Sequence, residues 1–284
     1  MITSVKTDQK IAKAALWVAG FTTVAILILV IGYVLFEGLL HVNWEFLTMK
    51  PRKMGAEGGI FPIIISTIYF TMLTLAIATP IGVGAAIFLT EYTKGGKLTR
   101  LIRFGTEALA GIPSIVFGLF GFAFFVVLLE PVTHGWSLIS GALTGATMIL
   151  PTLIRTAEEA IKTVPVSYRE GSLALGATKW QTIVKVVLPS ALPGIVTGVI
   201  LSVGRVIGET AALMLTLGGS MRMPHSIFDP ARTMSMHLYL VALEVGSKPA
   251  IDKAFATATV LIITIFVINI SANWLMKKFI SNIS

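Results

Sequence analysis

Cysteine is absent from the 284-residue chain. That removes disulfides, thiolate metal ligands and cysteine nucleophiles together. Histidine is nearly as scarce, confined to His41, His134, His225 and His237. No two of these stand at helical metal-ligand spacing, so no metal site is expected. Charge is thin as well: Asp, Glu, Lys and Arg make up 13% of the residues, against about 25% in an ordinary soluble domain. The missing charges leave gaps. None falls in 14–36, 58–90, 108–129, 131–154 or 254–276, and 186–221 is interrupted only by Arg205 and Glu209. A nucleotide loop is also lacking. The run TKGGKLTR at Thr93–Arg100 holds a Gly-Lys pair, but a phosphate-binding loop needs a Gly five residues before it, where Glu91 stands. Energy for any driven process must therefore come from a partner.

What fills the gaps is apolar. Hydrophobic residues reach 55% and the mean hydropathy is +0.87. Roughly 20 apolar residues cross a bilayer core of about 30 Å, so the pattern predicts an all-α integral membrane protein with six transmembrane helices. The spans are expected near 14–36, 64–89, 108–129, 135–154, 190–217 and 254–276. The second starts late because Gly58, Gly59 and Pro62 suggest a surface turn, and Pro80 is expected to bend it. The first run is too long for a secretory signal core and has no obvious small-residue cleavage site, so it reads as a retained span. Around the spans lie an N-terminal segment 1–13, an outer loop 37–59, a transmembrane domain 60–276 that includes a polar loop 155–189, and a tail 277–284.

Basic residues orient the bundle. Lys6, Lys10, Lys13, Lys94, Lys97, Arg100, Arg103, Arg155, Lys162, Arg169, Lys179, Lys185, Lys277 and Lys278 fall on one side if the spans alternate. The other side holds half as many: Lys50, Arg52, Lys53, Arg222, Arg232, Lys248 and Lys253. Both termini are therefore expected in the cytoplasm, in the cell membrane. The net charge of +8 is mainly this topology signal, and no nucleic-acid partner is expected from it.

The loop 155–189 contains two short helix patterns. Ser167 and Glu170 fit a capping box, in which a hydroxyl and a carboxylate exchange hydrogen bonds with the first turn. Gly176 supplies a left-handed stop. Thr178 and Gln181 fit a second box. Trp180, Ile183, Val184 and Val187 then repeat at the spacing of one helix face, and Leu188-Pro189 is expected to end the helix. Such a pair could lie on the membrane surface or serve as a rigid knob for a soluble protein, and periodicity does not separate the two.

Glu170-Gly171-Ser172, three residues, Gly176, nine residues and Val186-Val187-Leu188-Pro189 resemble the EAA loop of binding-protein-dependent ABC importers. The two alanines of that pattern stand here as Gly171 and Ser172, and its isoleucine as Val186. The resemblance implies coupling helices seated on an ATPase subunit. Five further stretches, Glu45–Pro62, Phe88–Phe104, Ala108–Phe120, Gly204–Gly219 and Ser226–Tyr239, resemble the A-type permeases of phosphate-specific (Pst) importers, and the likeness covers nearly the whole chain. It implies a type-1 importer permease that works with a second, unlike permease, two ATP-binding cassette subunits that bind the ATP and Mg, and an extracytoplasmic phosphate-binding protein. The permease itself would not be an enzyme and would carry no cofactor.

Candidate pathway residues lie in the fifth span. Arg205 and Glu209 are four residues apart, which on a continuous helix puts them on one face about 6 Å apart. Charge in the bilayer interior is costly, about 2.5–3.5 kcal/mol for Arg on the insertion scale, so both should face the bundle or water. They either neutralise each other or offer the Arg205 donor fork to phosphate, with Glu209 holding it. The family's Arg-x-x-Gly-Glu-Thr run implies the second. Ser202 shares that face and Thr210 could add a hydrogen bond. Glu107 and Ser114, beside the start of the third span, are further candidates. The pairs Gly194/Gly198 and Gly204/Gly208 should let helices approach closely. Each negative charge brought into a cell at −100 mV costs about 2.3 kcal/mol, which is why an ATPase is required. The alternatives are another oxyanion, such as sulfate or molybdate, the C-type phosphate permease, or a stand-alone channel.

Overall fold

The computed structural model describes residues 2–93, 95–245 and 247–281. Helix α1 (Ile2–Leu39) is followed by a short α2 (Trp44–Thr48) capped by Asn43, whose Oδ1 accepts from the Phe46 N–H at 2.7 Å. A hairpin of two-residue strands comes next, β1 (Pro51–Arg52) paired antiparallel with β2 (Glu57–Gly58); with an isolated bridge between Gly218 and Ala231 it is the only β pairing among the described residues. Helix α3 (Phe61–Ile87) starts on Pro62, runs through Pro80 and ends in a wide π turn at Phe88–Tyr92. Then come α4 (Lys97–Ala110), α5 (Ser114–Gly121) with its π continuation Phe122–Leu128, α6 (Glu130–Thr133) and α7 (Leu138–Lys162). Two short helices, α8 (Val166–Ala174) and α9 (Lys179–Thr182), lead into α10 (Leu188–Gly208). The chain closes with α11 (Ala211–Thr216), α12 (Met234–Leu240) and α13 (Lys248–Ser281).

Among the described residues five helices are long and apolar enough to cross a membrane, and six spans result if the bent pair α4–α5 counts as one. Several expected boundaries change. The helices of the first and sixth spans, α1 and α13, run past 14–36 and 254–276 at both ends, and positions 282–284 of the expected tail lie outside the described residues. The third span does not begin at Ala108. The chain turns by 107° between α4 and Ser114, because Gly111 and Pro113 break the helix where composition alone looks continuous. The fourth span does not stop at Ile154. It continues to Lys162, eight residues into the expected loop, since Ala157, Ala160 and Ile161 are still buried.

Helix α7 is the centre of the bundle. Phe70 and Ala78 of α3, Phe117 of α5, Val206 of α10 and Leu213 of α11 close around its Met148, Ile149 and Leu153. Small residues permit this contact. A Cβ on Gly194 or Gly198 of α10 would run into Ala160 or Thr156 of α7, and a Cβ on Gly121 into Thr144. Close approach by small residues is how membrane helices gain van der Waals contact, since lipid supplies no hydrophobic drive between them. The second pair expected to pack in this way, Gly204 and Gly208, has open space around it. At one end of the bundle the segment 218–233 covers α7, where the Leu138 and Ile139 N–H groups donate to the carbonyls of Asp229 and Ile227 at 3.0 and 2.9 Å. The opposite end carries α4, α8 and α9. A second core joins Phe46, Ile63, Val203, Ile207, Met234 and Ala256, which fastens α12 and α13 to α3 and α10.

Candidate functional site

The fifth span is broken where the candidate charges lie. Helix α10 ends at Gly208, Glu209 is extended (φ −69°, ψ 132°), Thr210 is non-helical, and α11 begins one residue later. Arg205 and Glu209 therefore do not share a helix face, and no ion pair joins them among the described residues. Tertiary bonds hold the break open. Glu209 Oε1 accepts the Ala212 N–H at 3.0 Å, and its carbonyl accepts the Ser235 hydroxyl of α12 at 2.6 Å. The carboxylate thus caps α11 instead of holding Arg205.

Arg205 is exposed on the wall of this subunit, and its Nη1 reaches Thr152 Oγ1 of α7 at 3.4 Å. Thr152 lies near the middle of α7, which sets the depth of the guanidinium. Thr210 is half-buried and its hydroxyl points back to the Gly208 carbonyl at 3.4 Å. Ser202 is fully buried and donates to the Gly198 carbonyl at 2.9 Å, so its hydroxyl is spent within its own helix and does not line an open surface.

A groove of about 350 Å³ runs between α4 and α7, lined by Arg103, Thr106, Glu107, Thr152, Arg155 and Thr156 among others. Glu107 belongs to this groove and not to the start of a span, because α4 is turned away from α5. Ser114 is the first residue of α5 and lines no described cavity. Arg103 pairs with Glu158 at 2.5 Å, and Lys162 with the same carboxylate at 2.9 Å. Thr152 and Arg155, one turn apart on α7, join Arg205 to this groove. Sequence reasoning put Arg155 in the loop because it ended the fourth span at Ile154, and passed over Thr152 within that span because a lone threonine in an apolar run carries no signal.

The second candidate region is the elbow formed by α8 and α9. Gly176 has φ +84° and reverses the chain between the two helices. The expected box at Thr178 is present in both directions, Thr178 to the Gln181 N–H and Gln181 to the Thr178 N–H. The box at Ser167 is not. Pro165 takes the cap position, Ser167 falls inside α8, and neither it nor the exposed Glu170 makes a capping bond. Leu188-Pro189 does not stop the helix either. The π turn Ile183–Val187 lets the Leu188 N–H reach the Ile183 carbonyl, which absorbs the donor that proline lacks. Helix therefore runs unbroken from Lys179 to Gly208, pinned by buried Ile183 and Val187 while Trp180 and Val184 of the expected face stay exposed. Ser172 and Thr182 hydroxyls meet at 2.9 Å and join the two arms. Gly171 has open space around it. At the tip Leu175 is 90% exposed, flanked by exposed Tyr168, Leu173 and Trp180. Apolar side chains presented on a short polar loop mark a contact surface, for another protein or for the membrane.

The histidines stay apart. His41 is 3.8 Å from Asp252, His134 stacks on Phe228, the His225 N–H donates to Asp229, and His237 is buried in α12. Among the described residues no three His, Asp or Glu gather as a metal site.

The family profile described as "Binding-protein-dependent transport system inner membrane component" matches residues 78–284. The chain is 36% identical over 95% of its length to the probable ABC transporter permease protein YqgI of Bacillus subtilis, 95% of which is covered. It is 32% identical to the phosphate transport system permease protein PstA of Xylella fastidiosa, covering 83% of this chain and 80% of the relative. For the Pasteurella multocida PstA the figures are 35%, 83% and 82%. Among solved structures, a bacterial alginate ABC transporter with its periplasmic protein superposes with a TM-score of 0.70 at 15% identity, over 96% of this chain and 97% of that one. The MetNI methionine ABC transporter gives 0.58 at 19%, over 78% and 94%. At such identities these two speak for the fold alone, which is that of ABC importer permeases.

Proposed function

The chain belongs to the family of binding-protein-dependent transport system inner membrane components, and from that premise we propose that it is one permease half of an ATP-driven importer of inorganic phosphate. It is a transport subunit and not an enzyme. The observation that carries the oxyanion reading is Arg205. Its guanidinium has no carboxylate at ion-pair distance among the described residues, yet it is level with the middle of the most buried span. An unneutralised Arg at that depth is retained for a task, because a charge in the bilayer interior is expensive. Its planar fork suits two oxygens of a tetrahedral oxyanion. Phosphate rather than sulfate or molybdate is supported by the named phosphate permeases among the relatives.

In this reading the anion meets Arg205 and Thr152 and then leaves along the groove past Arg155, with Thr210 beside the break. Glu209 fills the start of α11, so the passing anion meets the arginine and not a bare helix end. The exposed wall bearing Arg205 faces the second, unlike permease, which closes the pathway. The elbow lies in the cytoplasm with both termini and seats one of two ATP-binding cassette subunits through Leu175 and its neighbours. ATP and Mg are bound by those subunits. A phosphate-binding protein docks on the opposite face.

The test is uptake by the full complex rebuilt in liposomes with its binding protein and ATPases. Labelled phosphate should enter only with ATP, and unlabelled phosphate should compete where sulfate and molybdate do not. Equal competition by sulfate would assign another oxyanion. Phosphate flux through the isolated chain without ATP would reveal a channel and overturn the proposal.

A further inference from the structure

A polar clasp at the cytoplasmic end has no part in the roles above. Arg169 lies on α8, with 20% of its side chain exposed, and Glu91 in the π turn that ends α3, with 11%. Arg169 Nε and Nη2 donate to Glu91 Oε1 at 3.1 and 2.9 Å. The same guanidinium reaches back to the end of α7, with Nη1 on the Val164 carbonyl at 2.6 Å and Nη2 on the Ile161 carbonyl at 2.9 Å. The last carbonyls of a helix lack their usual i+4 donor; Ile161 accepts the Val164 N–H at 3.3 Å, and Arg169 adds a further bond there and one to Val164 just past the helix while it holds Glu91. The second arm of the elbow adds its own tie. The Lys179 ammonium donates to the Glu91 backbone carbonyl and lies 4.8 Å from the centre of the Tyr92 ring.

The consequence is mechanical. The elbow is covalently continuous with α7 and α10. It is not continuous with α3, since 78 residues separate Glu91 from Arg169. Without the clasp, a push on the elbow would reach the second span only by side-chain packing. With it, three spans share one rigid corner. A planar group with donors on three nitrogens reaches the carboxylate and both carbonyls at once, whereas the single nitrogen of a lysine cannot keep this fork geometry.

We infer that Glu91 and Arg169 are positioning residues for energy coupling, holding the second span to the elbow so that an ATPase stroke moves it together with α7 and α10. This rests on the elbow being the ATPase seat, as proposed above. The test uses the complete reconstituted importer with Glu91→Ala, Arg169→Lys and the double variant. Each should keep its ATPase subunits and hydrolyse ATP within about twofold of wild type. Phosphate imported per ATP should fall about tenfold or more in each. Because both residues serve one clasp, the double variant should be no worse than the poorer single one. An unchanged ratio, an equal fall in uptake and hydrolysis, or additive losses would overturn the inference. A parallel Leu175→Asp variant reads the elbow separately: retained ATPase binding and normal uptake there would refute the seat itself, whereas a normal ratio in Glu91→Ala with ATPase loss in Leu175→Asp refutes the clasp alone.

Discussion

Helices α1 and α7 each contain a long uncharged run, 14–36 and 138–154, and do opposite things. The most hydrophobic window of α1 has a mean hydropathy of 2.5 and none of it is buried, whereas that of α7 has 1.4 and is 61% buried. In water the more apolar helix would be inside. In a bilayer the order inverts, because lipid accepts Leu, Ile and Phe as readily as protein does, and the interior selects small and hydrogen-bonding residues that let backbones meet. Gly141, Gly145, Thr144 and Ser140 of α7 are such residues. Leu27, Ile28, Leu29 and Phe36 of α1 are the opposite kind and stay exposed. Near its end α1 touches α13, where Tyr33 stacks edge-on against Phe255 and Gly38 lies under Thr259.

That contrast can be broken by moving the same substitution between the two. Gly198→Leu drives a side chain into Thr156 of α7, and overpacking of this kind costs about 3 kcal/mol or more where backbone must shift. It should abolish a cooperative thermal transition in detergent. Gly32→Leu on α1, with open space around it, should leave the melting temperature where it was. Equal effects would mean that α7 is no more central than α1.

A smaller effect is expected at Glu158, the buried carboxylate of α7 that gathers Arg103 and Lys162. Both cations are nearly half-exposed, so solvent discounts the pair, and Glu158→Gln should cost about 1 kcal/mol. Chemical denaturation read by tryptophan fluorescence would measure it, and a loss several times larger would show the pair to be more deeply desolvated than its geometry indicates.

The smallest effect concerns the lid over α7. Asp229 accepts the His225 and Ser226 N–H groups at 2.8 and 2.9 Å, and these bonds hold its carboxyl below the ordinary value. A depressed folded value means that the ionised form holds the loop, and this contribution is present at neutral pH. It fades as pH falls below about 3.9 and through the lowered folded value. Asp229→Ala should raise amide exchange in 225–229 at pH 7 with uptake unchanged, and wild type should match the variant only in strong acid. Identical exchange at pH 7 would remove the role.

Much of this was legible beforehand, and the failures have local causes. Gaps in charge located six apolar stretches, since a run long enough to cross lipid must leave charged residues out of its middle. Thr178, Gly176 and the Gly194/Gly198 seam were readable because caps, left-handed turns and close approach each demand particular residue types. The bend at Gly111–Pro113 was hidden by its uncharged setting, and the break at Glu209 by the lack of any proline there. That break is held by Ser235 of α12, a contact 26 residues away that no window sees. Pro189 misled in the other direction. A helix stop was expected, but buried Ile183 and Val187 keep the helix together through a π turn. At Ser167 a neighbouring Pro165 won the cap.

The central claim is that an oxyanion passes a bare arginine in mid-membrane. Its most direct measurement is phosphate uptake by the reconstituted importer carrying Arg205→Gln, with subunit composition checked on the same sample. The account predicts an intact assembly that hydrolyses ATP and imports no phosphate. Uptake at the wild-type rate by that assembly would contradict it.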